Sequence, residues 1–544
     1  MLEHLVKQLL VAAWKTIVPA GDASQVKVEP SDRPEFGDFT TNLALVGASV
    51  AGTTPRKLAD RVAAALPAET MTRVEVAGPG FINLFVRPRA VHEALRQILV
   101  AGDSFGALSD GGGKRLQVEF VSSNPTGPLT VGHGRQAVLG DVLASLYAAI
   151  GFTVEREYYF NDEGRQVDLL AESLWARYRQ ALGAEAEIPD GGYEGDYLVA
   201  IGAELAADWE DRYPRFDEAA CAELRRIAVD RISVGIREDL AALGVSFDHW
   251  FSETTLHRTG QVRGTLARLT ERGGTYAKEG ATWLAAEAHG GDRDAVLVRS
   301  DGRPTYLLVD IAYHLNKSER GFERVINVQG ADHHAEQRAM GAAMRILGLP
   351  DAFLDYAVHQ LVSLKASGET TRMSTRSGRF VTLRSLVDEL GSDVVRYFMV
   401  ARKPTHHLEF DLDLARSESL DNPVTYIQYA HTRIASVLRK AGDVDAEVNA
   451  ETLEPLQLPE ELELIKLLDR LPSCLLEAGL SFSPHLVAEY ALQLSRRFHA
   501  YYTDHRILGD DARLQASRLA LVRGVKLVLG RCLRVLGMSA PEAM

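Results

Sequence analysis

Residues 118–141 read Val118-Glu-Phe-Val-Ser-Ser-Asn-Pro-Thr-Gly-Pro-Leu-Thr-Val-Gly-His-Gly-Arg-Gln-Ala-Val-Leu-Gly-Asp141, and three kinds of local structure follow one another inside them. Leu116, Val118 and Phe120 alternate as a buried strand does, and Ser122, Ser123, Asn124, Pro125, Gly127 and Pro128 then break it with loop formers. From Val131 the apolar spacing becomes helical. The first turn of that helix has free backbone N–H groups and the positive end of the helix dipole, which together suit a phosphate. Glycines on both sides of His133 let an anion come close to the backbone. Alone, the segment fits an ordinary βα turn with an incidental histidine equally well.

The surrounding chain repeats the strand–helix unit. Strands are expected at 116–121, 155–160, 295–299, 323–328 and 357–363, and helices from about 131, 162, 309 and 332. This alternation is that of a doubly wound, Rossmann-like α/β domain over 114–370. Residues 184–220 hold eleven acidic and two basic residues with Pro189, Gly191, Gly192 and Gly195, so 184–285 reads as an insertion. Before the sheet, 1–107 combines an amphipathic helix, a helix from Thr53 and a hairpin around Gly78-Pro79-Gly80, an α+β domain. Past 370 strands are expected to disappear, with a linker to 420 and an all-α domain over 421–544.

No apolar run is long enough to span a membrane and the N-terminus is not a cleavable signal, so a cytoplasmic protein is expected. Cys221, Cys474 and Cys532 are too scattered for a disulfide framework or a cysteine zinc site, and no structural metal is expected. The net charge of −14 speaks against a general nucleic-acid binder, but 491–534 carries nine Lys or Arg against three Asp.

Three further patches sit where strands end. Gly330-Ala-Asp-His-His334 follows a strand and opens a helix, which suits an adenosine: Gly330 for close approach, Asp332 for ribose hydroxyls, the histidines for base or phosphate. A plain cap by Asp332 is the simpler reading. Tyr306 and Asp310, four apart, share a face if helical, and a buried carboxylate beside a phenol asks for a cation such as a guanidinium; a core tyrosine and a helix cap by Asp310 fit equally well. The loop from Lys365 to Arg379, with Arg372 and Arg376 among Gly, Ser and Thr, suits a mobile clamp on pyrophosphate or an exposed basic linker.

Taken together, these segments resemble class I aminoacyl-tRNA synthetases, and among them the arginyl-tRNA synthetases of bacterial type. Thr130-Val-Gly-His133 resembles the His-Ile-Gly-His signature, and Arg372-Met-Ser-Thr375 sits where a Lys-Met-Ser-Lys loop is found. Val118 to Gly127, Glu157-Tyr-Tyr-Phe-Asn-Asp162, Gly330 to His334, Asp393-Val-Val-Arg-Tyr397, Asp411-Leu-Asp-Leu414 and Asn422 to His431 carry the arginine-specific likeness. Gly37 to Ala44 and Gly78 to Asn83 resemble the family's appended domain, which touches the tRNA D-loop corner.

The resemblance implies an arginine–tRNA ligase using ATP, Mg²⁺ carried with ATP and pyrophosphate, L-arginine and tRNA(Arg), acting as a monomer away from membranes. It implies His133, Thr130, Arg372, Ser374 and Arg376 as catalytic, and Glu119, Ser122, Asn124, Tyr306 and Asp310 around arginine. Gly132, His133, Gly330, Asp332, His333 and Met373 are expected around ATP, and Asn83, Tyr429, Arg496 and Arg497 on tRNA, with Tyr501 and Tyr502 as further stacking platforms. Two positions depart from the pattern. Thr130 replaces an imidazole, and Thr375 replaces a lysine, so Arg372 and Arg376 are expected to take over the pyrophosphate. A non-catalytic tRNA-binding paralogue and another nucleotidyl transferase are the alternatives; the first is opposed by the retained amino-acid-binding set, the second by tRNA-binding likeness at both ends.

Overall fold

The computed structural model describes residues 1–544 apart from 20, 23, 25, 32, 163, 332–333, 368, 372–380 and 443–447. Residues 118–141 lie at the centre of a five-stranded parallel sheet. Its strands are β1 (Arg115–Glu119), β2 (Thr153–Phe160), β3 (His249–Ser252), β4 (Arg324–Gly330) and β5 (Leu354–His359), in the order β5-β4-β1-β2-β3. Leu116, Gln117 and Val118 are all fully buried, as a central parallel strand covered on both faces requires. The helix α1 (Val131–Ile150) follows β1, and α2 (Tyr306–Glu319) precedes β4. The winding reverses between β1 and β4, which opens a crevice at their carboxyl ends.

Close packing of α1 on β1 depends on one glycine. A Cβ on Gly140 would come within 2.1 Å of the buried Phe120 ring, so only a bare Cα lets the helix approach the strand this closely.

Three expectations need correction. The strand at 295–298 exists but lies in an antiparallel three-stranded sheet with Ala281–Leu284 and Thr275–Lys278, apart from the parallel sheet. The fifth parallel strand is β3, inside the stretch read as insertion; four residues at a sheet edge leave too short a pattern to register. Strands also continue past 370: Leu408–Asp411 pairs in parallel with Val362–Ala366, so the boundary expected at 370 cuts through a sheet.

The N-terminal part is a four-stranded antiparallel sheet with helices, and the expected hairpin is Met71–Ala77 with Phe81–Val86. From Pro423 on the described residues are helical, including Pro423–Ala441, Pro459–Asp469, His485–Asp504 and Ala512–Val535. The two ends of the chain touch: Asp38 pairs with Lys466, and His92 Nε2 lies 2.7 Å from the Leu456 carbonyl oxygen. Among the described residues no helix is long and apolar enough to cross a membrane.

Candidate active site

Where β1 ends, the backbone turns sharply through two left-handed residues, Val121 (φ 66°) and Ser122 (φ 41°). For a β-branched valine that region costs about 1–3 kcal/mol, and such strain persists only where surrounding bonds enforce it. Here Ser122 Oγ donates to Glu119 Oε1 (3.0 Å) and accepts from the Tyr159 N–H (3.1 Å). The Ser123 N–H donates to Tyr158 Oη (3.2 Å), whose hydroxyl donates to the Ser123 carbonyl (3.0 Å). The hydroxyl of Ser122, expected on the substrate, is thus engaged in shaping the turn. Asn124 is exposed, with its Nδ2 donating to Gln166 Oε1 at 2.5 Å.

At the other end of the loop Thr130 is the N-cap of α1, and its N–H donates to His133 Nδ1 at 3.1 Å, with its Oγ1 3.3 Å from the same nitrogen. An Nδ1 that accepts cannot hold the proton, so the imidazole carries it on Nε2. Burial, and then His359, pushes the His133 pKa down to about 4, which keeps the ring a neutral donor. The threonine that replaces an imidazole therefore fixes the tautomer of the imidazole that remains. Thr130 also bridges Thr382, and the Leu383 N–H donates to the Leu129 carbonyl (2.8 Å), tying the helix start to the chain just after residue 380.

The two glycines beside His133 differ in purpose. A Cβ on Gly134 would meet Leu383 Cδ1 at 2.7 Å, whereas on Gly132 the nearest atom is Thr130 Oγ1 at 3.6 Å. Gly134 serves packing; Gly132 leaves the helix end open. Gly330 is the last residue of β4, in register with His359 of β5. Asp332, His333, Arg372, Met373, Ser374 and Arg376 lie outside the described residues.

Across the crevice α2 brings Tyr306 and Asp310 to its rim. Tyr306 is 71% exposed and Asp310 46%, so the pair expected to be buried stands at the cleft surface. Beneath it, Lys317 is fully buried and donates to Glu119 Oε2 (2.6 Å) and Asn327 Oδ1 (3.3 Å). Glu119, expected as a carboxylate for a cationic ligand, is thus already balanced by an internal ammonium. Tyr159 donates to Glu253 Oε2 (2.7 Å), and its phenol pKa is raised by burial, then by Glu253, Asp310 and Glu119. Tyr356 is raised by burial, then by Asp310 and Glu119. Carboxylates thus gather near Tyr159 and Tyr356, with Asp310 among them, while His133 at the start of α1 is a neutral hydrogen-bond donor.

Lys317, His314, Asn327 and Tyr356 were not singled out from the sequence, and Tyr159 entered only within the stretch Glu157–Asp162. Spacing held a signal for two of them: His314 and Lys317 follow Asp310 by four and seven residues, which puts three polar groups along one stripe of a helix.

Three family models cover most of the chain: the arginyl tRNA synthetase N terminal domain over 3–86, the tRNA synthetases class I (R) catalytic domain over 94–406, and the DALR anticodon binding domain over 427–544. The arginine–tRNA ligase of Desulfosudis oleivorans is 44% identical over 100% of this chain and 99% of its own length. The chain belongs to the arginyl-tRNA synthetase family. The arginine–tRNA ligase of Moorella thermoacetica is 46% identical over 95% of this chain and 93% of its own. The Thermus thermophilus arginyl-tRNA synthetase structure shares the fold with a TM-score of 0.78 at 24% identity, each chain covered in full.

Buried arginines, among them Arg396 of the Asp393–Tyr397 stretch, hold the parts together. Arg135, fully buried, donates to the carbonyls of Gln360 (2.7 Å), His406 (3.0 Å) and Lys403 (3.3 Å). Arg396, equally buried, reaches the Asp141 carboxylate and the carbonyls of Leu536 (2.9 Å) and Leu243 (3.2 Å), while Arg156 Nε holds the other Asp141 oxygen at 2.9 Å. The signature helix is thereby clamped to the C-terminal helices.

Two residues expected on tRNA are buried in this chain. Asn83 is 5% exposed within its strand, and Tyr501 is 3% exposed with its hydroxyl on Glu461 (3.0 Å). In contrast, Arg433 lies 4.7 Å and 4.8 Å from the ring centres of Tyr429 and Tyr502, and His499 stacks on Tyr429. Arg496 and Arg497 are exposed, whereas Arg513, Arg518, Lys526 and Arg534 are each paired with a carboxylate. Among the described residues no group of His, Cys, Asp and Glu could hold a metal ion.

Proposed function

We propose a division of labour for arginine–tRNA ligation within this crevice. The enzyme activates arginine with ATP to arginyl-adenylate and passes it to the 3′-terminal adenosine of tRNA(Arg), at the 2′-OH as in class I enzymes. Asp310 and Tyr306 receive the guanidinium, and Asn124 the amino-acid head group. Glu119 and Ser122 act by fixing the turn that carries Asn124. The neutral Nε2–H of His133 donates to an ATP phosphate oxygen, alongside the open helix end at Gly132. Gly330, Asp332, His333 and Met373 border the adenosine, and Arg372, Ser374 and Arg376 the pyrophosphate, with Mg²⁺ arriving on ATP.

No side-chain nucleophile is needed, because the arginine carboxylate is ionised and in-line displacement at the α-phosphate asks mainly for position and charge neutralisation. The observation that carries this reading is the capped start of α1, which fixes His133 as a neutral donor.

Residues 1–107 serve the D-loop corner, 114–370 the chemistry, 371–420 the signature loop and stem contact, and 421–544 the anticodon. There the Tyr429, Arg433, Tyr502 and His499 cluster offers stacking faces beside Arg496 and Arg497. The enzyme works as a cytoplasmic monomer. Aminoacylation of total tRNA with each labelled amino acid in turn tests the reading: arginine alone is incorporated, and failure of arginine in the presence of ATP and Mg²⁺ would overturn it.

A further inference from the structure

The loop that joins β1 to α1 is held by a tyrosine on each side of Asn124. On the near side the N–H, hydroxyl and carbonyl of Ser123 all meet Tyr158 Oη, at 3.2, 2.9 and 3.0 Å. Tyr158 is fully buried and stacks on Trp250 with ring centres 4.3 Å apart, so this grip belongs to the core. On the far side Tyr197 Oη donates to the Thr126 carbonyl at 2.5 Å. The Thr126 N–H in turn donates to the Asn124 carbonyl at 2.7 Å, closing a three-residue turn over the buried Pro125. One chain of bonds thus runs from the Tyr197 phenol to the backbone of Asn124. Tyr197 comes from the acidic stretch 184–220, whose composition is that of a solvated insertion. It lies in the first turn of the helix Asp196–Trp209, which packs closely on the helix Arg165–Ala181: a Cβ on Gly202 would come within 2.8 Å of the Arg177 backbone carbon. The second of these helices carries Gln166, whose Oε1 accepts from Asn124 Nδ2. The helix pair therefore meets Asn124 at its side chain and, through Thr126, at its backbone.

We propose that Tyr197 is a positioning residue for arginine, and that through it the acidic stretch, although outside the parallel sheet, is a working part of the amino-acid site. The proposal rests on Asn124 receiving the head group of arginine. Asn124 is exposed and follows the strained Val121–Ser122 turn, so its own packing does not fix its place. Without the phenol the Thr126 carbonyl turns to water, and the segment around Asn124 has to be ordered when arginine binds, a cost that appears as weaker affinity. Two glycines make room for the phenol. A Cβ on Gly195 would lie 2.3 Å from Tyr197 Cε1, and one on Gly127 would lie 3.3 Å from Oη.

Tyr197→Phe deletes one oxygen and keeps the ring. In ATP–pyrophosphate exchange by the full-length enzyme with tRNA present, it is expected to raise the KM for arginine about fivefold, as loss of one hydrogen bond does, with kcat and the KM values for ATP and tRNA within twofold of wild type. In an Asn124→Ala background, where no amide is left to position, the same change is expected to move the KM for arginine by less than twofold. An unchanged KM for arginine in Tyr197→Phe overturns the proposal. So does a fivefold effect that persists in the Asn124→Ala background, or one that falls on tRNA instead. Should Tyr197→Phe fail to fold, Gly127→Ala takes its place by pressing on the same phenol from the loop side: a raised KM for arginine supports the proposal and an unchanged one refutes it. Asn124→Ala alone separates the proposal from the reading beneath it. A wild-type KM for arginine in that variant removes Asn124 as a ligand, and the proposal with it.

Discussion

Gly140→Ala adds one methyl group where α1 packs on Phe120, the residue that follows β1. The new Cβ would lie 2.1, 2.4 and 2.5 Å from Phe120 Cγ, Cβ and Cδ2, where ordinary contact begins at 3.4 Å. One partner must move by roughly 1 Å or more, as overpacked cores do. Phe120 is fully buried, with its ring 4.4 Å from that of Phe247, and it precedes the strained Val121–Ser122 turn, so the helix is the part that gives. His133 lies seven residues earlier on the same helix, about 10 Å along its axis, and moves with it.

A displacement of about 1 Å at a group that must meet a phosphate costs on the order of 10²-fold in rate. Stability changes little by comparison: overpacking costs about 1–3 kcal/mol, and exchanging a helical glycine for alanine returns about 1 kcal/mol. The assay is arginine-dependent ATP–pyrophosphate exchange with tRNA present, with denaturant unfolding of the same preparation. The expected result is a kcat lowered about 30- to 100-fold in a protein less stable by at most about 2 kcal/mol, and partial recovery when Phe120→Leu makes room. A Gly140→Ala enzyme with kcat within threefold of wild type would refute the claim that this contact sets the position of His133.

Arg396→Met strips a buried charge from Asp141 and from two carbonyls; unfolding measurements should show a loss of about 3–5 kcal/mol, and Arg396→Lys should not restore it, because an ammonium lacks the planar fork. His133 is held at about 4 in the folded chain against an ordinary 6.5, so its contribution to stability is complete above pH 6.5 and is lost as pH falls toward 4. The wild type should lose up to about 3 kcal/mol over that window on this account, and His133→Gln should lack that slope in pH-dependent unfolding. In the helical domain Tyr501→Phe should cost about 1 kcal/mol of stability and leave tRNA affinity unchanged. Tyr429→Ala should instead weaken tRNA binding by about 1–3 kcal/mol, read by filter binding, and equal effects of the two would contradict the burial difference between them.

Much of this architecture was legible in residues 118–141, because strand, loop and helix each leave a local signature there: alternation, turn formers and capped helical spacing. Thr130 illustrates the limit. As a letter it looks like a lost imidazole, and only the bond from its N–H to His133 Nδ1 shows that it orients the remaining one. Glu119 illustrates another. Its pairing with Lys317 spans 198 residues of sequence, and no local pattern reports a partner so distant. β3 escaped for a different reason, since four residues at an edge carry too little periodicity. Asn83 and Tyr501 show a third limit, since residue type suggests a contact while burial is set by the fold around the residue.

The central claim is that Asp310 receives the guanidinium of arginine in the crevice that His133 closes. Its most direct test is ATP–pyrophosphate exchange by Asp310→Asn against arginine concentration, with tRNA present. Because this carboxylate is 46% exposed, removal of its charge should fall at the lower end of the range for a broken charged pair, about 2–3 kcal/mol. The account predicts a fall in kcat/KM for arginine of roughly 30- to 150-fold, carried by KM, with the KM for ATP unchanged. An Asp310→Asn enzyme whose kcat/KM for arginine stays within threefold of wild type would contradict it.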